Sequence, residues 1–386
     1  MLVERGRDAA IDLRRDLHAH PELSDEEYRT SAVLTERLHS VGLRSLPAPT
    51  ATGAVALLEG GRAGRAVLLR SDIDALPIEE AVDVPYRSRT PGVMHACGHD
   101  GHAAILVAAA AALSERAEAL PGRYVFVFQP AEETISGAKE MIAGGLLDAV
   151  RPDAVLGLHV SSFMPSGLVG HHTGIARAEA RSWRITLRGA GGHAAGAGSD
   201  GNVVVAAAVL TSRLASVSDG LEYEEVPCVC AAGVLHAGTR QNVVPAVARI
   251  EGTLRSFTPE QDAQVTSRLG GLVDSVAGEF GVTASLEFTA HTPAVANDPR
   301  VTATVAKAAA RQLGSGAVFE IPPMTPSDDV AEFLERVPGT YLSLGARPGE
   351  QRPPVHHAPD FTFDEGALRV GALVLAAGAV ALAETR

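Results

Sequence analysis

Three short apolar runs, each ending in side chains able to bind a metal ion, restrict what this chain can fold into more than any other feature. Residues 66–70 (AVLLR) run into Ser71-Asp72-Ile73-Asp74, residues 124–128 (YVFVF) into Gln129-Pro130-Ala131-Glu132-Glu133, and residues 154–158 (AVLGL) into His159. Continuous apolar runs of this length fit strands buried on both faces. Similar runs lie at Ala54–Leu58 and Thr340–Leu344, and an alanine-rich helix is predicted over His102–Leu113. Strands alternating with helices predict an α/β fold around a mostly parallel sheet. Ligands in such sheets collect outside the carboxyl ends of the strands, so the three strand ends would share one rim.

From about residue 180 the texture changes. Ser182–Leu187 alternates like a half-exposed strand, Asn202–Val217 and Gln261–Gly278 read as helices, and Val226–Val234 and Ala248–Arg255 read as strands. This βαββα order predicts a smaller α+β domain at 181–290, inserted into an α/β domain made of 1–180 and 291–386.

The densest chemistry is His95-Ala96-Cys97-Gly98-His99-Asp100-Gly101-His102, with three imidazoles, a thiol and a carboxylate in eight residues. Imidazole with thiolate suits Zn, Co, Ni or Mn rather than Mg or Ca. Glu132-Glu133, alone an ordinary solvated turn, follows an apolar run here. Adjacent residues at a strand end point to opposite sides, which would let one carboxylate hold a metal while its neighbour acts as general base. His356-His357 lies in a Pro-rich loop, alone a surface feature, and reaches the same rim only if the last α/β segment returns to the first sheet.

The balance of 33 Lys+Arg against 46 Asp+Glu argues against nucleic acid or an anionic membrane as a partner. Three cysteines make no disulfide framework for 386 residues and read as cytosolic thiols. The charged N-terminus has no apolar core of a signal peptide. The run Val370–Ala383, at 14 residues, is too short to span a bilayer and reads as a buried helix. A cytoplasmic protein is expected.

With these residues in view, the chain resembles the metal-dependent aminoacylase/carboxypeptidase superfamily of metallopeptidases, nearest to its branch of hippurate hydrolases, N-acyl-amino-acid amidohydrolases and indole-acetyl-amino-acid hydrolases. The resemblance rests on LHAHPELSDEE (17–27), LRSDIDALPIEE (69–80), HACGHDGH (95–102), FQPAEE (128–133), GLHV (157–160), GGHAA (191–195), NVVPAVARIEGTLRSF (242–257) and HHAPDFTFDE (356–365). It implies an amidohydrolase with two divalent ions (Zn, Mn, Co or Ni) per subunit, acting on N-acyl amino acids, with an inserted lid that also makes a homodimer or higher homo-oligomer. By motif position Cys97, His99, Glu133, His159 and His357 would be the metal ligands, Cys97 bridging both ions, and Asp72 would support them. Metal-bound hydroxide would attack the amide with Glu132 as general base. His193 would enter the partner subunit's site and stabilise the oxyanion, and Asn242 would bind substrate. Arg255 is a further candidate for the substrate carboxylate.

Two regions depart from the family pattern. Relatives often follow GGHAA with a Pro-His element, where this chain has Gly196-Ala197-Gly198-Ser199-Asp200. The usual Ser-Glu-Asp-Phe is Ser327-Asp328-Asp329-Val330. These departures keep a second substrate reading open: a dipeptide or a specialised amide metabolite, cleaved by the same machinery. A third reading makes Cys97 a nucleophile, and a fourth a metal-binding protein without activity. Cys228 and Cys230, two apart on one strand, read as small core side chains.

Overall fold

The apolar runs become neighbouring strands of one sheet. In the computed structural model, which describes residues 7–196, 198–349 and 353–384, the principal strands and helices divide between two compact units. The first unit comprises Met1–Ala176, Ala296–Ile321 and Asp328–Arg386, and the second Arg177–Val295 and Pro322–Ser327. In chain order, the first unit carries β1 (Arg44–Leu46), β2 (Ala54–Glu59), β3 (Arg62–Asp72), β4 (Pro121–Gln129), β5 (Ala154–Pro165) and β6 (Val169–His171). The second carries β7 (Glu179–Arg188), β8 (Val229–Ala237), β9 (Val247–Ser256) and β10 (Thr283–Thr292), and the first resumes with β11 (Val318–Glu320) and β12 (Gly339–Arg347). The principal helices are α1 (Arg7–Ala19), α2 (Tyr28–Ser40), α3 (His99–Ser114), α4 (Val203–Arg213), α5 (Pro259–Glu279), α6 (Pro299–Leu313) and α7 (Gly366–Glu384).

The first unit's sheet has the order β1-β2-β4-β3-β5-β12-β6-β11. Its centre, β4-β3-β5-β12, is parallel throughout, while β1, β2 and the β12–β6 pair are antiparallel. Parallel register brings Asp72 level with Gln129, and so carries the ends of β3 and β4 to one rim. The central strands are buried along most of their length, which is why they read as unbroken apolar runs. Helix α7 corrects the length argument for the last apolar run: at 19 residues it is long and apolar enough to cross a membrane. Its placement decides instead, since 61% of that stretch is buried and Val374, Leu375 and Ala379 lie in the core.

The second unit is an antiparallel sheet, β8-β9-β7-β10, with a core in which Trp183, Ile185 and Ile250 meet Leu210 of α4 and Val265 and Leu269 of α5. Strand β10 is absent from the βαββα expectation. Its Ala284-x-Leu286-x-Phe288 alternation is weak because the strand is largely exposed. Segment 322–327, which the sequence places with 291–386, clusters with the second unit. There Ala178 N–H donates to Met324 O at 2.9 Å, and Arg255 donates to Ser327 Oγ at 2.5 Å.

Candidate metal centre

The donors come from the end of β3, the middle of β5, the turn after β4, the start of α3 and the loop before α7, all within the first unit. The strand that begins with the run 154–158 continues past His159 to Pro165, so this imidazole is not at a strand end as expected. Two glycines make the approach possible. Gly98 has φ +90°, and a Cβ there would lie 2.5 Å from Val160 Cγ2. That turn brings Cys97 and His99 up to the middle of β5, where Val160 and His159 lie. Gly137 lies against the turn after β4, where a Cβ would fall 1.7 Å from Pro130 O.

Cys97, His99 and His159 offer donor atoms within 4.8 Å of one another, as do Cys97, Glu133 and His357, and also His99, Glu132 and Glu133. Cys97 Sγ lies 3.5 Å from His159 Nε2, and Glu133 Oε1 lies 3.4 Å from His357 Nε2. His99 Nε2 stands 3.9 Å from Glu133 Oε1, 4.0 Å from Glu132 Oε2 and 3.9 Å from Asp72 Oδ2. Both carboxylates of Glu132-Glu133 thus approach the same imidazole, which corrects the expectation of opposite sides. The pair has left the strand for a turn in which Ala131 (φ 54°) and Ile135 (φ 60°) are left-handed, so strand alternation no longer applies.

The hydrogen bonds assign roles to the imidazoles. His99 Nδ1–H donates to Asp74, at 3.0 Å to its carbonyl and 3.1 Å to Oδ1, leaving Nε2 as the lone-pair nitrogen facing the carboxylates. His159 Nδ1–H donates to Val160 O at 2.6 Å, leaving Nε2 towards Cys97. Such outer partners fix the ring and its tautomer for metal binding. His102 is committed otherwise: Nε2 accepts from Val160 N–H at 2.9 Å and Nδ1–H donates to Asp72 Oδ1 at 2.6 Å. It orients Asp72 and offers no nitrogen to an ion. His95 is buried and pushed down to about 4 by burial, a neutral core ring. Asp100 is spent on anchoring α3 through Arg14 Nε and His18 Nδ1, each at 2.8 Å.

Asp72 is fully buried. Burial opposes its charge, yet His99, His102 and Arg70 hold it well below the usual carboxylate range. Arg70, also buried, meets Asp72 at 2.7 Å, Asp328 at 3.2 Å and Asp329 at 2.9 Å, and Gln129 Nε2 donates to Asp329 Oδ1 at 2.8 Å. The Ser327-Asp328-Asp329-Val330 segment therefore packs its two acids around Arg70 beside Glu132. Burial, with Asp328, Glu133 and Asp329 close by, pushes Glu132 well above the ordinary glutamate range.

Burial, with Glu133 beside it, pushes the Cys97 thiol far above the usual range. That is the reverse of an activated nucleophile, and only a bound cation would hold it as thiolate. His99 Nε2 and Glu133 Oε1 are both buried without a hydrogen-bond partner. Orphaned lone pairs of this kind, next to a thiol and further imidazoles, fit the ligand shell of a divalent ion that accepts nitrogen and sulfur.

His193, Asn242 and Arg255 belong to the second unit. His193 pairs with Val243 in a two-stranded ribbon, and Ala194 N–H donates to Asn242 O at 3.0 Å, so these two candidates are neighbours. Arg255 lies on β9, apart from that ribbon, with Ser327 as a partner.

The profile of peptidase family M20/M25/M40 matches residues 68–380. The chain belongs to this family. Among its relatives, a thermostable carboxypeptidase 1 of Saccharolobus solfataricus is 34% identical over 98% of this chain and 96% of its own length. An N-acetyl-L-cysteine deacetylase of Bacillus subtilis is 35% identical over 93% of this chain and 84% of its own. Among solved structures, a dinuclear metal-binding peptidase of family M20 from Bacillus subtilis aligns with a TM-score of 0.83 and 31% identity, covering 99% of this chain and 100% of that one. The M20 assignment agrees with the α/β architecture and with the convergence of donors from β3, β5, the start of α3 and the neighbouring turns.

Proposed function

We propose that this chain is a metal-dependent amidohydrolase that cleaves the amide bond of N-acyl amino acids, releasing a carboxylic acid and the amino acid. The observation that carries this reading is the set of Cys97, His99, Glu133, His159 and His357 with a second buried glutamate, Glu132, beside them. Two divalent ions held by those five residues would polarise the scissile carbonyl and lower the pKa of water.

The chain's own residues do the rest. Glu132 takes a proton from the attacking water on its carboxylate and delivers it to the departing amine nitrogen as the carbon–nitrogen bond breaks. Asp72, held by His102 and Arg70, keeps a fixed negative charge beside His99. His193, reaching the site of a second copy, stabilises charge developing on the carbonyl oxygen, while Asn242 and Arg255 take the substrate carboxylate. A homodimer through the second unit is supported by its outer strand β8, which exposes Val234 and Leu235. A cytoplasmic location is supported by three unpaired cysteines, since oxidation of Cys97 would remove a ligand.

A peptide substrate is the second reading, favoured by the carboxypeptidase relative. A panel of N-acetyl, N-benzoyl and N-indoleacetyl amino acids, set against dipeptides with Zn(II), Mn(II) or Co(II) supplied, separates the two. The proposal expects the highest kcat/KM on an N-acyl amino acid. Dipeptides hydrolysed faster than every N-acyl compound would replace it by the second reading, and no hydrolysis of any amide would overturn both.

A further inference from the structure

Glu27 is a buried carboxylate that the proposed chemistry does not use. It caps the start of α2 by position, yet its side chain makes no cap hydrogen bond there. It is fully buried, and its carboxylate joins two other segments. Oε1 accepts from Ala131 N–H at 2.8 Å, and Oε2 accepts from Thr52 Oγ1–H at 2.8 Å. The same stretch of backbone is tied further: Ser31 Oγ donates to Glu27 O at 2.5 Å and accepts from Gly53 N–H at 2.6 Å.

Ala131 is the residue that turns the chain. Its φ of 54° is a left-handed conformation that alanine adopts only when its surroundings hold it there. Glu132 and Glu133 follow immediately. The turn is held at two amides by two carboxylates: Glu27 at Ala131 N–H, and Asp74 Oδ2 at Glu133 N–H, 2.9 Å away. Asp74 has a second duty, since it also fixes His99. Glu27 touches none of the donor atoms.

Glu27 ties three segments together, but a charge is not what stability requires of it. Its two bonded partners are neutral donors, and burial pushes its carboxyl up to about 7. A buried carboxylate without a cation costs stability, and an apolar side chain of similar volume is often neutral or better. What glutamate supplies is reach: two oxygens at the end of a long arm, one of them at the amide that sets the turn.

We propose that Glu27 is a positioning residue that holds Ala131 in its left-handed conformation and thereby sets the approach of Glu132 and Glu133 to His99. The inference rests on the proposed metal centre, but metal affinity can be read without any substrate, so failure of the amidase reading leaves it testable. Two variants separate reach from charge. Glu27→Asp keeps the carboxyl group and shortens the arm by one methylene. Glu27→Gln keeps the arm and an acceptor oxygen without the charge. Affinity for Co(II) and Zn(II) is measured by chelator competition, the visible spectrum of the Co(II) form is recorded, and Tm is followed.

Glu27→Asp is expected to weaken metal affinity by roughly 10–100-fold, the size typical of losing an outer support of a ligand, with an altered Co(II) spectrum. Glu27→Gln is expected to stay within about threefold of wild type, well short of that loss. Thr52→Val, which touches the other oxygen, is expected to lower Tm and leave the Co(II) spectrum unchanged. Wild-type metal affinity and spectrum in Glu27→Asp, whatever its Tm, would overturn the proposal. So would a Glu27→Gln protein as impaired as Glu27→Asp, because charge and not reach would then be at work. Should Glu27→Asp not fold, Glu27→Gln decides: near-wild-type affinity supports the role and a tenfold loss overturns it.

Discussion

Glu132→Gln gives a folded protein that binds its metal ions as the wild type does and hydrolyses N-acyl amino acids roughly 10²–10⁴-fold more slowly, the range supplied by one general base. Glutamine keeps the shape of the side chain and removes only its ability to take a proton. Glu132 Oε2 lies 4.0 Å from His99 Nε2, close to the donors but beside Glu133, which offers the nearer oxygen and a contact with His357. Because burial and Asp328 already oppose a charge on Glu132, the substitution removes a buried carboxylate that costs stability, and Tm is not expected to fall. Parallel measurement of kcat, metal content and Tm checks this. A variant with more than about a tenth of wild-type kcat would move the base elsewhere.

Cys97→Ala is expected to lose metal and activity together. The thiol takes part in two of the donor groups, one with His99 and His159 and one with Glu133 and His357, so its removal weakens both at once. A fall in kcat/KM of at least about 100-fold is expected, beyond the 10–100-fold typical of outer supports, with metal content below the wild-type value. A thiol nucleophile predicts a different pattern: full metal content in an inactive Cys97→Ala protein, and wild-type activity that survives chelation but not alkylation. The upward displacement of the Cys97 thiol argues for the first pattern.

The parts of this molecule that could be read from the sequence are those in which one short segment carries the whole signal. The runs at 66–70, 124–128 and 154–158 are strands because they are buried on both faces, and their polar ends share a rim because the central sheet is parallel. The cluster at 95–102 announces a metal centre, but it does not say which imidazole faces it. Only the contacts with Asp72, Asp74 and Val160 separate His99 from His102. Asp74 escaped assignment because its value lies in two bonds to residues 25 and 59 positions away. The acids at 328 and 329 read as a departure in a substrate loop, while the structure turns them on Arg70, far away in sequence. Strands of three residues, β1, β6 and β11, are too short for any periodicity to register.

The central claim is that Cys97, His99, Glu133, His159 and His357 hold the ions on which amide hydrolysis depends. Elemental analysis of metal per chain, followed through chelation and stepwise readdition while hydrolysis of an N-acetyl amino acid is monitored, tests it most directly. The account predicts about two ions per chain, activity lost on chelation, and recovery that tracks their return. Full activity in a protein stripped of metal would contradict it.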